Sequence, residues 1–446
     1  MFDCSIAMDI QNNPQLAYCT RQRLGGNFYS YWIKYASWNG VTWEFQPVET
    51  TEALNTGIPV FKAVRLRLDN QNHSHIAYVY VKDSCQYKYA YYDGGSWQIS
   101  VIDSVKNLRY YHIPRGCFDM TLSQSGIPYI SYSFINWKDS IHGIRYAYKS
   151  GDSWIIQSVW EEDGIPHSYL STTAIDVDRT GYPVIVFEYY YPAPINTGYL
   201  FCARFDGLNW VIDTVAHSSQ AGYFVYSLKL DNSGRVHIFY QNDFDLFYAI
   251  ECGDTWYFEW LGFNGLFESR GDMVLDGDKP KVVWSSIEDY LTYAYKIDTL
   301  WRYEIIEPNY EALYPSLARE VENGEYVCFI RGDVAYDVLC YARRVSSEII
   351  EKAAKSELSK ELCLTMHSSI VTSKILKLSC GLPKDEIIKI MLYDSSGRVM
   401  MRLKDERMKA GYYTDAINLN RLHNGIYWLV LKSGNETKTK KLVLIK

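Results

Sequence analysis

Short stretches of alternating apolar and polar residues, each closed by a turn signal, run through most of the chain and read as β-strands. The clearest copy lies between Tyr226 and Leu261. Tyr226 to Leu230 alternates and ends at Asp231-Asn232-Ser233-Gly234, and Val236 to Tyr240 alternates again. Leu246-Phe247-Tyr248-Ala249 then meets the turn Cys252-Gly253-Asp254-Thr255, and Trp256 to Leu261 completes the copy. These are four strands, A to D. Strand C carries a marker alanine, usually after tyrosine, at Ala36, Ala90, Ala147, Ala203, Ala249, Ala294 and Ala342. Trp43, Trp97, Trp154, Trp210, Trp256 and Trp301 follow six of these at a constant offset. Successive alanines are 54, 57, 56, 46, 45 and 48 residues apart, a period of the size that one four-stranded propeller blade requires. The pattern predicts an all-β chain with a seven-bladed β-propeller over residues 1–345.

The last repeat, from about Tyr314 to Arg344, stops after strand C and lacks its outer strand. The chain also begins inside strand A of the first repeat. Either an upstream segment carrying an export signal and the missing strand is expected, or the final blade is three-stranded and the chain starts at Met1. The tryptophans open strand D, where a large ring covers the seam between adjacent blades and buries about 150 to 250 Å2. The alanines are small because a neighbouring sheet passes close by.

Past residue 345 the periodicity changes. Apolar residues at 349, 350, 353, 354 and 358 follow helical spacing, so 346–361 is read as a helical linker. Strand-like runs resume at Ile375 to Leu378, Ile387 to Tyr393, Val399 to Leu403, Gly425 to Leu431 and Lys441 to Ile445. They predict a small Ig-like β-sandwich over residues 362–446.

Charge divides at the same place. Residues 346–446 hold 18 Lys and Arg against 11 Asp and Glu, leaving 27 against 41 for the preceding part. An acidic propeller repels polyanions, which argues against nucleic acid as a partner. The chain has 40 tyrosines and 13 tryptophans, suited to strands and to sugar-binding surfaces. Its ten cysteines are spread singly, without zinc spacing. Most read as packing thiols, with Cys328 and Cys340 the nearest disulfide candidates on export. No apolar run is long enough for a membrane-spanning helix, and Met1-Phe2-Asp3-Cys4-Ser5 has neither the basic nor the apolar part of an export signal.

Four ordered elements stand out in the last segment. They are Ile390 to Val399 with Tyr393-Asp394-Ser395-Ser396-Gly397-Arg398, then Gly411-Tyr412-Tyr413, then Leu422 to Trp428 with Gly425 and Tyr427, then Lys441 to Lys446. Physically, Asp394 to Arg398 is a hairpin turn with Gly397 free to take positive φ, and Asn424-Gly425 is another. Together they resemble the type A C-terminal sorting domain of the type IX secretion system. The resemblance implies a signal-peptide step into the periplasm, passage across the outer membrane, and display or release. Type IX machinery would be the partner of residues 362–446. The Pro-Asn-Pro element common near the start of such domains is missing around Met366-His367-Ser368-Ser369.

The repeats more loosely resemble sialidase-like and lectin-like propellers. Asp93-Gly94-Gly95-Ser96-Trp97 and Asp206-Gly207-Leu208-Asn209-Trp210 match only the second half of an Asp-box, itself a structural turn. Sialidase chemistry needs an arginine cluster with a Tyr and Glu pair. Arg65, Arg67, Arg115 and Arg270 are available, without the family's Arg-Ile-Pro order. Glycosidase carboxylates could come from Glu161, Glu162, Asp163, Glu188, Asp243 or Asp245. Asp176 with Asp178, and Asp276 with Asp278, lack the continued acidic spacing of a calcium loop, so neither a metal nor a cofactor is predicted.

Tight A to B and C to D turns share one face, so the longer B to C and D to A connections share the other, where binding is usually built. The candidate site is Tyr110, Tyr111, His112, Arg115, Trp137, Trp160, Glu161, His167, Tyr189, Tyr190, Asp243 and Tyr310. Rings flanked by carboxylates suit sugar faces and hydroxyls. The expected function is an exported surface or secreted protein binding glycans. Protein binding or adhesion, or a sialidase-like glycoside hydrolase, are the alternatives, and no catalytic residue is assigned.

Overall fold

The computed structural model describes residues 3–25, 28–54, 60–82, 84–106, 116–136, 139–163, 171–191, 195–219, 222–263, 270–285, 291–297, 300–307, 312–319, 324–331, 338–344, 362–366, 370–371, 375–409, 411–419 and 422–444. The proposed helical linker lies outside them. The chain divides into two compact units, Met1–Lys296 with Ile306–Arg344, and Ile297–Ile305 with Val345–Lys446.

The first unit is a β-propeller built from antiparallel meanders. The first sheet holds β1 (Asp3–Met8), β2 (Pro14–Gly25), β3 (Phe28–Trp38) and β4 (Trp43–Leu54) in that order. The second holds β5 (Val60–Leu68), β6 (Ser74–Val81), β7 (Ser84–Tyr92) and β8 (Gln98–Lys106). The third is β9 (Phe118–Leu122), β10 (Pro128–Asn136), β11 (Ile141–Ser150) and β12 (Ser153–Asp163). The fourth is β13 (Thr173–Val177), β14 (Pro183–Tyr191), β15 (Thr197–Phe205) and β16 (Trp210–Ser218). The fifth is β17 (Tyr223–Leu230), β18 (Val236–Asn242), β19 (Asp245–Cys252) and β20 (Thr255–Phe263). The sixth repeat contributes β21 (Gly271–Asp276), β22 (Lys279–Ser285) and β23 (Leu291–Ile297), with β24 (Leu300–Glu307) next in the chain. The last sheet has β25 (Ala312–Arg319), β26 (Glu325–Arg331) and β27 (Val338–Arg344) among the described residues. The first strands of consecutive sheets touch in the order β1, β5, β9, β13, β17, β21, β25, and β25 returns to β1.

One turn chemistry makes most of the A to B hairpins. Asp9, Asp69, Asp178 and Asp231 each accept, on Oδ1, the backbone N–H groups two and four residues on, at 2.7 to 3.0 Å. The residue three on from each takes positive φ: Asn12, Asn72, Gly181 and Gly234. This Asx turn satisfies backbone donors that would otherwise be unpaired and tolerates only Gly or Asn cheaply at its third step.

The strand D tryptophans sit at the seams. Trp97 packs edge-on against Tyr35, Trp154 against Tyr89 and Trp210 against Tyr146, with ring centroids 5.1 to 5.6 Å apart. Each tyrosine precedes the marker alanine of the preceding sheet. Trp43 makes the same contact with Tyr341 of the last sheet at 5.8 Å. The first six marker alanines are fully buried, so no larger side chain fits beneath those rings.

The second unit holds β28 (Cys363–Met366), β29 (Ile370–Val371), β30 (Ile375–Leu382), β31 (Glu386–Asp394), β32 (Val399–Met408), β33 (Gly411–Asn418), β34 (Gly425–Ser433) and β35 (Glu436–Leu444). It takes in Ile297–Ile305 because Tyr303 pairs with Tyr412. One sheet runs β29-β35-β34-β31-β32, and β30 pairs with both β28 and β33. Alternate residues such as Ile388, Ile390 and Leu392 with Leu429, Leu431, Leu442 and Leu444 form its core, as a strand period of two requires.

Candidate functional site

Two of the predicted residues, Trp160 and Tyr189, meet in an aromatic cluster between the third and fourth sheets. Gly143 on β11 lies so close to the adjoining strand that an added Cβ would meet the Trp160 carbonyl oxygen at 2.0 Å. The register shifts beside it, between Ile144 and Arg145, a bulge of the kind that re-aims a side chain. Trp160 thereby packs on Tyr189 at 4.5 Å and on Phe187 at 5.8 Å. Cross-strand pairing of Tyr189 with Tyr199, and of Tyr199 with His217, extends the surface along the fourth sheet. Tyr191 stands edge-on to both Tyr189 and Tyr199, at 4.6 and 5.6 Å. Its hydroxyl points at Glu162 Oε2 across 3.5 Å.

Burial separates support from surface. Tyr189 is buried, stacked on His142 at 5.3 Å and hydrogen-bonded to its Nε2 at 2.6 Å. Trp160, Tyr191, Tyr199 and Glu162 are half-buried and His217 is exposed. Burial, then the Glu162 carboxylate, raises the Tyr191 hydroxyl, so it stays a neutral donor at physiological pH. Neutral hydroxyl, carboxylate and ring faces together can stack on the apolar side of a pyranose and hydrogen-bond its hydroxyls.

Of the sequence-predicted residues, Trp160 and Tyr189 come together here, and exposed Glu161 follows Trp160 and bonds to Ser158. Tyr190 points away from Tyr189, as alternate strand residues must, and donates to the Asn196 side chain. Asp243 is a turn residue of the fifth sheet, at φ 56°, whose carbonyl accepts from Gln241 Nε2. Tyr110, Tyr111, His112, Arg115, Trp137, His167 and Tyr310 lie outside the described residues. His142, Tyr199 and His217 complete the cluster from β11, β15 and β16, outside the predicted set. The recurrence of aromatics at alternate positions of β14 and β15 is the sequence signal for Tyr199.

Glu188 faces the other side of β14 from Tyr189 and Tyr191 and accepts the Thr172 N–H at 3.1 Å. Burial pushes its carboxyl up to about 8. The sign follows from linkage: the unfolded chain gives up this proton near 4.5, the native state only near 8. Unfolding therefore becomes easier as pH rises between those values. Glu188→Gln is expected to raise the melting temperature at pH 8 and to leave it nearly unchanged at pH 4, which thermal scans at both pH values check.

The arginines considered for carboxylate binding meet at a separate central cavity, lined by Arg65, Arg67, Arg270, Asp119 and Asp272 among others. All three already face acids. Arg270 Nη1 donates to both Asp3 oxygens at 2.9 and 2.8 Å, and Arg65 Nε donates to Asp119 at 3.1 Å. Arg67 lies 3.5 Å from Asp119. Burial alone would raise the Asp119 carboxyl, but Arg67 and Arg65 hold it below the usual carboxylate range. Acids on inner strands also bridge sheets. Asp3 accepts the Val64 N–H at 2.9 Å, Asp119 that of Ile175 at 3.3 Å, Asp176 that of Leu230 at 2.9 Å, and Asp272 that of Leu317 at 3.0 Å. The cavity is thus chiefly a set of cross-sheet ties. Asp276 is engaged by Lys281 and Arg319, and no metal-holding cluster occurs among the described residues.

The sorting residues gather at one end of the five-stranded sheet. Asp394 repeats the propeller's Asx turn, accepting the Ser396 and Arg398 N–H groups at 2.9 and 3.0 Å, with Gly397 at φ 81°. Arg398 Nε closes it on Asp394 Oδ2 at 2.8 Å. Across the sheet, Asp394 pairs with Tyr427 and Tyr393 with Trp428, while Trp428 pairs with Lys441. Gly425 opens β34, and Tyr427 donates to the His423 carbonyl at 2.8 Å.

A family described as "Secretion system C-terminal sorting domain" matches residues 372–446. No curated protein matches the chain. Among solved structures it is similar to Aleuria aurantia lectin, described as a six-bladed β-propeller, at 13% identity and TM-score 0.44, covering 69% of this chain and 96% of that one. A protein of unknown function from Dyadobacter fermentans matches at 11% identity and TM-score 0.43, covering 76% and 97%. PorZ, a surface component of the type IX secretion system of Porphyromonas gingivalis, matches at 10% identity and TM-score 0.37, covering 99% of this chain and 59% of that one.

Proposed function

We propose that this chain is an exported binding protein whose propeller recognises glycans through the aromatic cluster between its third and fourth sheets. The observation that carries the reading is the set of half-buried rings, Trp160, Tyr191 and Tyr199, grouped beside Glu162 and braced from below by Tyr189 and His142. Surface rings held by buried ones form a preorganised platform, which reduces the entropy lost when a ligand orders them. The propeller is read as seven-bladed over residues 1–345, supported by the cyclic contacts of its inner strands. The remainder is read as an Ig-like sandwich over residues 362–446.

The sorting-domain match implies export to the cell surface or beyond. Deleting residues 362–446 from the exported protein is expected to leave a folded propeller in the periplasm, measured by fractionation and protease accessibility of intact cells. Unchanged surface delivery would refute the role of that segment. A glycan array on the full chain tests the ligand class. Binding confined to surface proteins would favour adhesion instead, and turnover of a glycoside would favour a hydrolase.

A further inference from the structure

Two cysteines that are 324 residues apart in sequence face each other where the last sheet meets the first. Cys328 on β26 lies with its Sγ 3.3 Å from the Sγ of Cys4 on β1, and Cys4 in turn donates to the Tyr314 carbonyl at 3.2 Å. Both are buried, in a cluster with Ile6, Tyr18, Tyr326 and Ile330. The expected neighbour of Cys328 was Cys340, and the sheet rules this out. Cys340 pairs with Phe329, so it projects to the opposite face from Cys328 and packs towards Val327 and Leu317.

We propose that Cys4 and Cys328 form a disulfide that locks the propeller ring at this seam. The proposal rests on the export reading, since the periplasm oxidises and the cytosol does not. A disulfide requires sulfurs about 2.05 Å apart. Closing the remaining gap of about 1.3 Å takes small rotations of two side chains that already point at each other. The chemistry is exchange with a disulfide donor, the oxidant of that compartment. One cysteine thiolate attacks the donor disulfide and expels the first donor thiolate. The second cysteine thiolate then attacks the mixed disulfide and expels the other. Two protons leave the protein, and its two electrons reduce the donor to a dithiol.

Burial dictates the timing. Desolvation raises the Cys4 thiol well above its ordinary range, and neighbouring Cys328 adds to the effect. In the closed ring Cys4 is held as the thiol, so its exchange takes place while the first and last sheets are docking. Once formed, the bond is shielded from reductant by the same packing.

The test refolds the full reduced chain in a mixture of glutathione and glutathione disulfide, alkylates remaining thiols under denaturing conditions, and maps peptides without reduction. The expected result is one cross-linked species joining the Cys4 and Cys328 peptides, in protein that melts about 3 to 8 °C above its reduced form. Recovery of both as alkylated thiols, or pairing of either with another cysteine, would overturn the proposal. Cys4→Ser and Cys328→Ser should each abolish the link and melt alike. Because the peptide map is made on the unmutated chain, a variant that fails to fold leaves that result standing. Linkage here with no surface delivery in cells would fault the export reading alone.

Discussion

Replacing Asp3 by alanine is expected to lower the unfolding free energy by about 3 to 5 kcal/mol, the range for removing one partner of a buried ion pair. Asp3 is fully buried. Its carboxylate accepts two hydrogen bonds from Arg270 and one from the Val64 N–H, with Arg65 Nη1 at 3.6 Å. Alanine would remove both Asp3 hydrogen bonds from the buried Arg270 guanidinium and would also take the acceptor from the buried Val64 N–H. Asp3→Asn keeps an acceptor of the same shape and should fall between. Urea titrations of the three proteins read this directly. Equal stability of wild type and Asp3→Ala would show that the central ties do not hold the ring.

Acid should act at the same place. Asp119 is held below its unfolded value by Arg67 and Arg65. Its contribution is present above the unfolded carboxylate range and is lost as pH falls through the lowered native value. Glu188 has the opposite sign, so its contribution is lost as pH rises where that of Asp119 is lost as pH falls.

How much of this was legible in the chain follows from the range of each interaction. The Asx turns at Asp69, Asp231 and Asp394 are complete within five residues, and their Asp and Gly or Asn spacing is visible by eye. The tryptophans were legible as seam residues because the repeat supplies their partners. Trp154 finds Tyr89 for the same reason that Trp210 finds Tyr146. The Asp3 and Arg270 pair spans 267 residues and the Cys4 and Cys328 pair 324. Nothing local marks either partner. Only closure of the ring brings them together, so Cys328 was first paired with its sequence neighbour Cys340. Likewise, loop length points to the connections, whereas Tyr199 and His217 join the aromatic cluster from strands.

The sharpest functional prediction separates the Trp160 and Tyr191 cluster from the seams. Trp160→Ala and Tyr191→Ala are expected to weaken binding of a glycan identified on the array by tenfold or more, because truncating a ring that stacks on a ligand removes about 1.4 kcal/mol or more. Their melting temperatures should fall less than that of Trp154→Ala. Trp154 packs against Tyr89 and bonds to Ser100 Oγ at 3.1 Å. Removing it is expected to lower stability by about 3 kcal/mol, the low end for a large aromatic, because the ring is half-buried. Binding isotherms and melting curves of all three variants, measured side by side, decide the matter. Trp160 is the stringent case, since it also touches Phe187 and Tyr189. If Trp160→Ala melts as early as Trp154→Ala and Tyr191→Ala still binds at full strength, the aromatic cluster is packing, and the glycan site lies on another part of the propeller.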